Sequence, residues 1–291
     1  MASLLPPFAT PIEQPRVAFQ GIEGSFSDGA CIKVFGQDVD RTGLSHFQFV
    51  VEGVVNGDYD YGVLPIENSS TGSINDVYDL LYEKPCFIVG ETSLEITQNL
   101  MAVPGTKLED VKFVYSHPQG LGQSQRFLLE HGIEARPYAD TAMSARYIAE
   151  TKPANGAAIA SKQAAEVYGL DILVPHVNFN YSNITRFVVI RREPELSESQ
   201  NKASIVFKTA HRPGALLEAL RYFAEGHYDM SRIESRPVIG KPWEYSFYID
   251  LLGRWDDENF LECLRQVRDK TVDFRVLGTY EAAEQHYLYE K

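Results

Sequence analysis

Through residue 190, short apolar runs alternate with one-sided apolar spacings. Val17-Ala18-Phe19, Gly62 to Ile66, Phe87-Ile88-Val89, Lys112 to Tyr115, Ala157 to Ala160 and Phe187 to Ile190 are bounded apolar runs, which predict strands. Between them Ile74, Val77, Tyr78 and Leu81 recur at the spacing of one helix face, opened by Ser70 or Thr71 as N-cap. Leu121 to Glu130 ahead of Gly132, Thr141 to Glu150, and Ser161 to Tyr168 closed by Gly169 predict three further helices. Strand-then-helix alternation predicts α/β units with largely parallel sheets, in which ligands sit at the carboxyl ends of the strands.

Arg191 to Lys202 breaks this rhythm: it is charged, contains Pro194 and has no apolar periodicity, which is linker composition. Beyond it the order changes. Ser204 to Thr209 predicts a strand, Pro213 to Gly226 a helix, and Tyr228 to Val238 and Trp243 to Leu252 two strands about a turn at Gly240-Lys241-Pro242. Asp256 to Lys270 predicts a helix and Val272 to Leu277 a last strand, giving a ferredoxin-like βαββαβ order. A chain of 291 residues suits this division into two domains.

The net charge of −13 argues against a nucleic-acid partner, because phosphate binding needs a basic face. It also means that an anionic ligand must be held by local donors, such as helix N-termini, hydroxyls or a single Arg. Cys31, Cys86 and Cys263 are odd in number, far apart and without metal-ligand spacing, so free thiols are expected. Met1 to Pro15 has neither the basic nor the apolar segment of a signal peptide, and no run approaches the ~18 apolar residues of a membrane helix. A cytoplasmic protein without membrane or nucleic-acid partners is the expectation.

Four polar clusters lie at the edges of the apolar runs and helices. Glu67-Asn68-Ser69-Ser70-Thr71-Gly72-Ser73 reads either as a capping loop or as a site projecting Glu67 and Asn68. Ser116-His117-Pro118-Gln119 with Gln123 follows another run; Ser116 and Gln123 are placed as ligands, and His117 more simply as a structural hydrogen-bonding group. Asp140-Thr141-Ala142 is first an N-cap, with Thr141 in reach of an anion at that helix end. Asn183-Ile184-Thr185-Arg186-Phe187 brings an amide, a hydroxyl and a guanidinium together where a loop becomes a strand. No phosphate-binding loop, nucleophile elbow, dinucleotide fingerprint or metal motif occurs, so a cofactor-free and metal-free enzyme or a binding protein is expected.

In that order, the four clusters resemble the signatures of the prephenate dehydratase family: Gly62 to Ser69 with Gly72-Ser73, Ser116 to Gln119 with Gln123, Thr141-Ala142, and Asn183 with Thr185-Arg186-Phe187. Gly214-Ala215-Leu216-Leu217 and Glu234-Ser235-Arg236-Pro237 resemble the two signatures of a phenylalanine-sensing ACT domain. The chain departs from the family at Thr97-Gln98-Asn99, where many members carry a His, and at Asp140, where a small hydroxyl residue is more usual. The resemblance implies a catalytic domain at residues 15–192 of two lobes, similar to a type II periplasmic binding protein, a linker at 193–202 and an ACT domain at 203–280. One lobe would combine 15–92 with 173–192 and the other would span 93–172.

It implies loss of water and carbon dioxide from prephenate, with Thr185 passing a proton to the leaving hydroxyl and Glu67 as its source. Asn68, Ser69, Ser116, Gln123, Thr141, Asn183, Arg186 and Phe187 would bind substrate, Arg186 as a carboxylate clamp. Phenylalanine would inhibit from the ACT domain at Gly214 to Leu217 and Glu234 to Pro237, in a homodimer or homotetramer. Arogenate dehydratase shares these motifs and stays open at the level of sequence; a catalytically silent amino-acid-binding regulator of the same two-lobed fold is a further alternative, against which the intact Thr185-Arg186-Phe187 and Glu67-Asn68 argue.

Overall fold

The computed structural model describes residues 4–180, 182–238, 240–241 and 243–283. The chain opens with β1 (Arg16–Gln20), α1 (Phe26–Phe35), β2 (Asp40–Leu44), α2 (Phe47–Asn56), β3 (Tyr61–Asn68), β4 (Gly72–Ser73), α3 (Asn75–Glu83) and β5 (Phe87–Glu95). It crosses to a second sheet for β6 (Asn99–Ala102), β7 (Phe113–Ser116), α4 (Pro118–Gln123), α5 (Gln125–His131), β8 (Glu134–Pro137), α6 (Thr141–Thr151), β9 (Gly156–Ala160), α7 (Lys162–Tyr168) and β10 (Asp171–Val174). It returns with β11 (Ile184–Arg191) and ends with β12 (Lys202–Lys208), α8 (Ala215–Glu225), β13 (Met230–Pro237), β14 (Tyr245–Leu252), α9 (Glu258–Lys270) and β15 (Val272–Tyr280).

The second sheet runs β10-β6-β9-β7-β8. The first runs β13-β14-β12-β15-β5-β11-β3-β1-β2, with β4 hanging on β3. Both are mixed rather than largely parallel. The returning strand β11 pairs antiparallel with β3 and β5, and β6 pairs antiparallel with β9 and β10. β10 stays in the second sheet through Val174, so the return crossing begins after that residue. The last four strands keep the order β13-β14-β12-β15 with antiparallel pairing, a ferredoxin-like arrangement.

This terminal unit is continuous with the first sheet. Gly278 of β15 pairs with Ile88 of β5, and one apolar core unites Leu64, Ile88 and Val188 with Val206, Tyr248 and Leu277. The expected linker is also tied down, since Ala9 bridges Glu195 and Tyr61 Oη donates to Glu195 at 2.5 Å. The second sheet has its own apolar layers, with Leu100, Val114 and Ile159 on one face and Met101, Ala145 and Ile148 among those on the other.

Helix starts near the crossing follow from short polar caps. The Ser25 side chain accepts from Asp28 N, Asp140 from Ala142 N and Met143 N, and Ser161 from Ala164 N. Left-handed Gly57, Gly132 and Gly169 close α2, α5 and α7. The helix expected from Leu121 is two helices that meet at Ser124. Among the described residues no helix is long and apolar enough to cross a membrane.

Candidate active site

A cleft of about 790 Å³ opens between the two sheets, lined by strand ends and by the first turns of helices. Its first-sheet wall is built by β3 and β11, which pair Asn68 with Thr185 and Glu67 with Arg186. Successive side chains of a strand point to opposite faces. Thr185, Phe187 and Asn68 therefore line the cleft. A register shift between Arg186 and Phe187 lets Pro65 line it as well.

The hydrogen bonds of Asn68 orient its amide. Its Oδ1 accepts from the backbone N–H groups of Ser70 at 3.0 Å and Thr71 at 3.1 Å. Those donors leave Nδ2 facing the other way, where it donates to Thr185 Oγ1 at 2.9 Å and Asn183 Oδ1 at 2.7 Å. The Nδ2 of Asn183 in turn donates to Gln123 Oε1 at 3.1 Å, so one amide chain links Thr185 on the first sheet to α4 beside the second. Across the mouth, Gln119 Nε2 donates to Thr71 Oγ1 at 3.0 Å.

Glu67 and Arg186 face away from this cleft. The Arg186 guanidinium lies 3.2 Å from Glu67, 2.9 Å from Glu91 and 2.8 Å from Asp250, and Lys202 lies 3.0 Å from Glu91. Arg232 of β13 reaches Glu67 at 3.4 Å. Burial disfavours a charge on Arg186, but Asp250, Tyr280, Glu91 and Glu67 outweigh it and hold its pKa above the usual value. Asp250 is likewise pushed up by burial, yet Arg186 and Lys202 prevail and hold its carboxyl below the usual range. The expected carboxylate clamp and proton source are instead an ion cluster between β3, β5 and β11 and the terminal unit.

Among the described residues no Lys or Arg lines the cleft; the titratable groups described there are His46, His117, Asp76, Asp79, Glu83 and Asp140. An anion in it would be held by hydroxyls, amides and backbone donors.

The family model for prephenate dehydratase matches residues 17–195. The chain belongs to the prephenate dehydratase family. It is similar to the Arabidopsis thaliana chloroplastic arogenate dehydratase/prephenate dehydratase 2, at 36% identity over 276 residues, covering 91% of this chain and 72% of that one. Among solved structures it is similar to the prephenate dehydratase of Arthrobacter aurescens in complex with L-Phe, with 29% identity, a TM-score of 0.83, and coverage of 91% and 90%. It is also similar to GqqA, described as a novel type of quorum quenching acylase, with 29% identity, a TM-score of 0.84, and coverage of 92% and 98%.

Of the other residues that the prephenate dehydratase resemblance singles out, Gln123 and Thr141 line the cleft and Asn183 lies directly behind it. Ser116 does not reach it: the side chain is fully buried and its hydroxyl donates to the Ile159 carbonyl at 2.6 Å. Ser69 instead ties β3 to β11, donating to Ser182 O and accepting from Ile184 N, each at 2.9 Å.

In the terminal unit Gly214, Ala215, Leu216 and Leu217 line a second cleft of about 540 Å³ with Trp243 and Phe247. Glu234, Ser235, Arg236 and Pro237 are not among its described lining residues. Glu234 accepts from Ser73 Oγ at 2.6 Å, and Arg236 makes two bonds to Asp79, the closer 2.7 Å. The sequence analysis did not single out Phe26 and Ser27 at the start of α1 or His46 at the start of α2, and it noted Gln98 only as a departure from the family, yet all four line the first cleft. For Ser27 and Gln98 a polar residue shortly after an apolar or strand-like run was the signal available; β2, ahead of His46, has no apolar run to give one.

Proposed function

We propose that this protein is a prephenate dehydratase, converting prephenate to phenylpyruvate, carbon dioxide and water. The observation that carries the reading is the orientation of Asn68. With its Nδ2 donating to Thr185 Oγ1, a lone pair of that oxygen is occupied and the Thr185 proton is free to point into the cleft. The ring C–O bond of prephenate breaks with its electron pair going to oxygen, while the bond to the departing carboxylate breaks and its pair completes the aromatic ring. Thr185 donates its proton to the departing oxygen, which leaves as water. Asn68 Nδ2 stabilises the charge that develops on Thr185 Oγ1, and solvent returns the proton after product release.

A described lining without Lys or Arg suits this chemistry. A carboxylate clamped by Arg would be stabilised in the ground state and would lose carbon dioxide less readily. Glu67, turned toward Arg186 and Arg232, is replaced in this account by solvent as the ultimate proton source.

In this reading residues 15–192 are the catalytic part and residues 203–280 an ACT domain that lets phenylalanine inhibit its own synthesis, in the cytoplasm. The βαββαβ order, the cleft beside Gly214 and the L-Phe complex of the Arthrobacter aurescens relative support it. The separation of Glu234 to Pro237 from that cleft supports pairing of two or four chains, so that a second copy completes the effector site. Mixing the purified protein with prephenate tests both halves. Phenylpyruvate should accumulate, and more slowly with added phenylalanine. No phenylpyruvate would refute the dehydratase, and phenylalanine-independent turnover would refute the regulation.

A further inference from the structure

Gln98 sits in the crossing between β5 and β6 and is 3% exposed. Its backbone is tied on both sides: the N–H donates to Asn178 Oδ1 at 2.9 Å, and the carbonyl accepts from Val177 N at 2.8 Å. Its side chain is different. Oε1 is buried without a hydrogen-bond partner among the described residues, yet the residue lines the cleft. Leaving a buried polar group unpaired is costly, and no described residue offsets that cost here. An amide at the cleft wall with no partner among the described residues is available to a ligand.

Its neighbours locate it. A Cβ placed on Gly120 would lie 2.8 Å from Ser116 Oγ, 3.5 Å from Thr141 Cγ2 and 3.6 Å from Gln98 Cδ. Gln98 thus stands on the second-sheet wall beside Thr141, whereas Thr185 and Asn68 form the first-sheet wall.

We infer that Gln98 is a substrate-binding and specificity-determining residue, whose amide takes the polar substituent next to the side-chain carboxylate of the substrate. The assignment rests on the dehydratase reading. With the ring hydroxyl at Thr185, the opposite end of the six-membered ring, which bears the carboxylated side chain, faces the second-sheet wall. The substituent there is a ketone in prephenate and an ammonium in arogenate. A neutral amide serves either by turning, since Nε2 donates to a ketone oxygen and Oε1 accepts from an ammonium. A fixed charge at this position would favour one and reject the other.

Two substitutions in the full-length protein test this. Gln98→Met keeps the side-chain size and removes both polar atoms. No protein hydrogen bond is lost, so its Tm should equal or exceed that of the wild type. KM for prephenate should rise about tenfold, the size of one neutral hydrogen bond, with a smaller change in kcat. Gln98→Glu should raise the ratio of kcat/KM for arogenate over prephenate by about tenfold or more. An unchanged KM in Gln98→Met, or a Tm several degrees lower, would overturn the assignment, the latter by making the amide structural. An unchanged substrate ratio in Gln98→Glu would overturn the placement of the substituent. Wild-type protein that neither binds nor converts either compound would remove the dehydratase reading and this assignment together. Wild-type turnover with an unaffected Gln98→Met would remove this assignment alone.

Discussion

Thr185 owes its proposed chemistry to a neighbour that is not itself acidic. Asn68 is oriented by two backbone donors, and only in that orientation does Thr185 receive a hydrogen bond while keeping its own proton for the substrate. Asn68→Asp keeps the shape and puts an acceptor where Nδ2 was, so the Thr185 proton would turn back toward the new carboxylate. kcat should fall ~10²-fold or more with little change in KM, the scale of losing one aimed donor; steady-state rates close to wild type would reject the orientation argument. Asn68 and Thr185 stood out in the sequence as polar residues at the edges of apolar runs and Gln123 as a polar residue on the helix after one, and all three line the cleft. Glu67 and Arg186 were misread because adjacency was taken for a shared face, whereas residues next to Asn68 and Thr185 on a strand must point the other way. The cysteines behave as their burial dictates. Burial pushes the Cys31 thiol up to about 12, with Asp28 adding to it, and those of Cys86 and Cys263 up to about 11. An alkylating agent at pH 8 should therefore leave the native protein unmodified by mass and label all three thiols after unfolding.

Strand β11 organises the elements. It enters between β3 and β5, and its register sends Thr185 and Phe187 into the cleft and Arg186 into the ion cluster. The apolar run from Phe187 made it visible in sequence. Edge strands such as β2 and β8, written Asp-Arg-Thr-Gly-Leu and Glu-Ala-Arg-Pro, have no such run because one or both faces meet solvent. Helix α2 was hidden for a different reason: Phe-Gln-Phe-Val-Val-Glu-Gly-Val-Val-Asn is rich in β-branched residues, and burial of Val50, Val51 and Val54 overrides that preference. The junction of β15 with β5 could not be read from local pattern at all, since it depends on one contact distant in sequence. Its steric requirement is severe, because a Cβ on Gly278 would lie 1.9 Å from the Ile88 carbonyl oxygen. Gly278→Ala should cost several kcal/mol in chemical denaturation as the two strands are forced apart. A variant as stable as the wild type would show that the sheet is not continuous there.

At the scale of the molecule, the terminal unit packs behind the first-sheet wall of the cleft. The Arg186, Lys202, Glu91 and Asp250 cluster and the shared core around Leu64, Val188, Val206 and Tyr248 join the two. A chain ending at residue 200 would leave Arg186 and Glu91 without Asp250 and Lys202, and should unfold in less denaturant than the full chain; equal stability would mean that the first part stands alone. The cluster also sets a pH dependence. Asp250 has a folded-state pKa below its ordinary value, so its contribution is present above about pH 4 and is lost as pH falls through the lower folded value. Asp250→Asn should be less stable than wild type at pH 7, and the difference should narrow as denaturation is repeated toward pH 3. A constant difference would disconnect Asp250 from the effect. The polar stretch at Arg191 to Lys202 and the change of element order after it were visible in sequence, but the packing of the terminal unit against the first sheet was not, because it depends on the assembled sheet. In the proposed mechanism these features serve a cleft in which the Thr185 hydroxyl meets the substrate. The most direct test is therefore the prephenate turnover of Thr185→Ala beside the wild type under saturating substrate. The account predicts phenylpyruvate formation by the wild type and a kcat lower by ~10²–10⁴-fold in the variant, with KM largely preserved. A variant that turns prephenate over at the wild-type rate would contradict it.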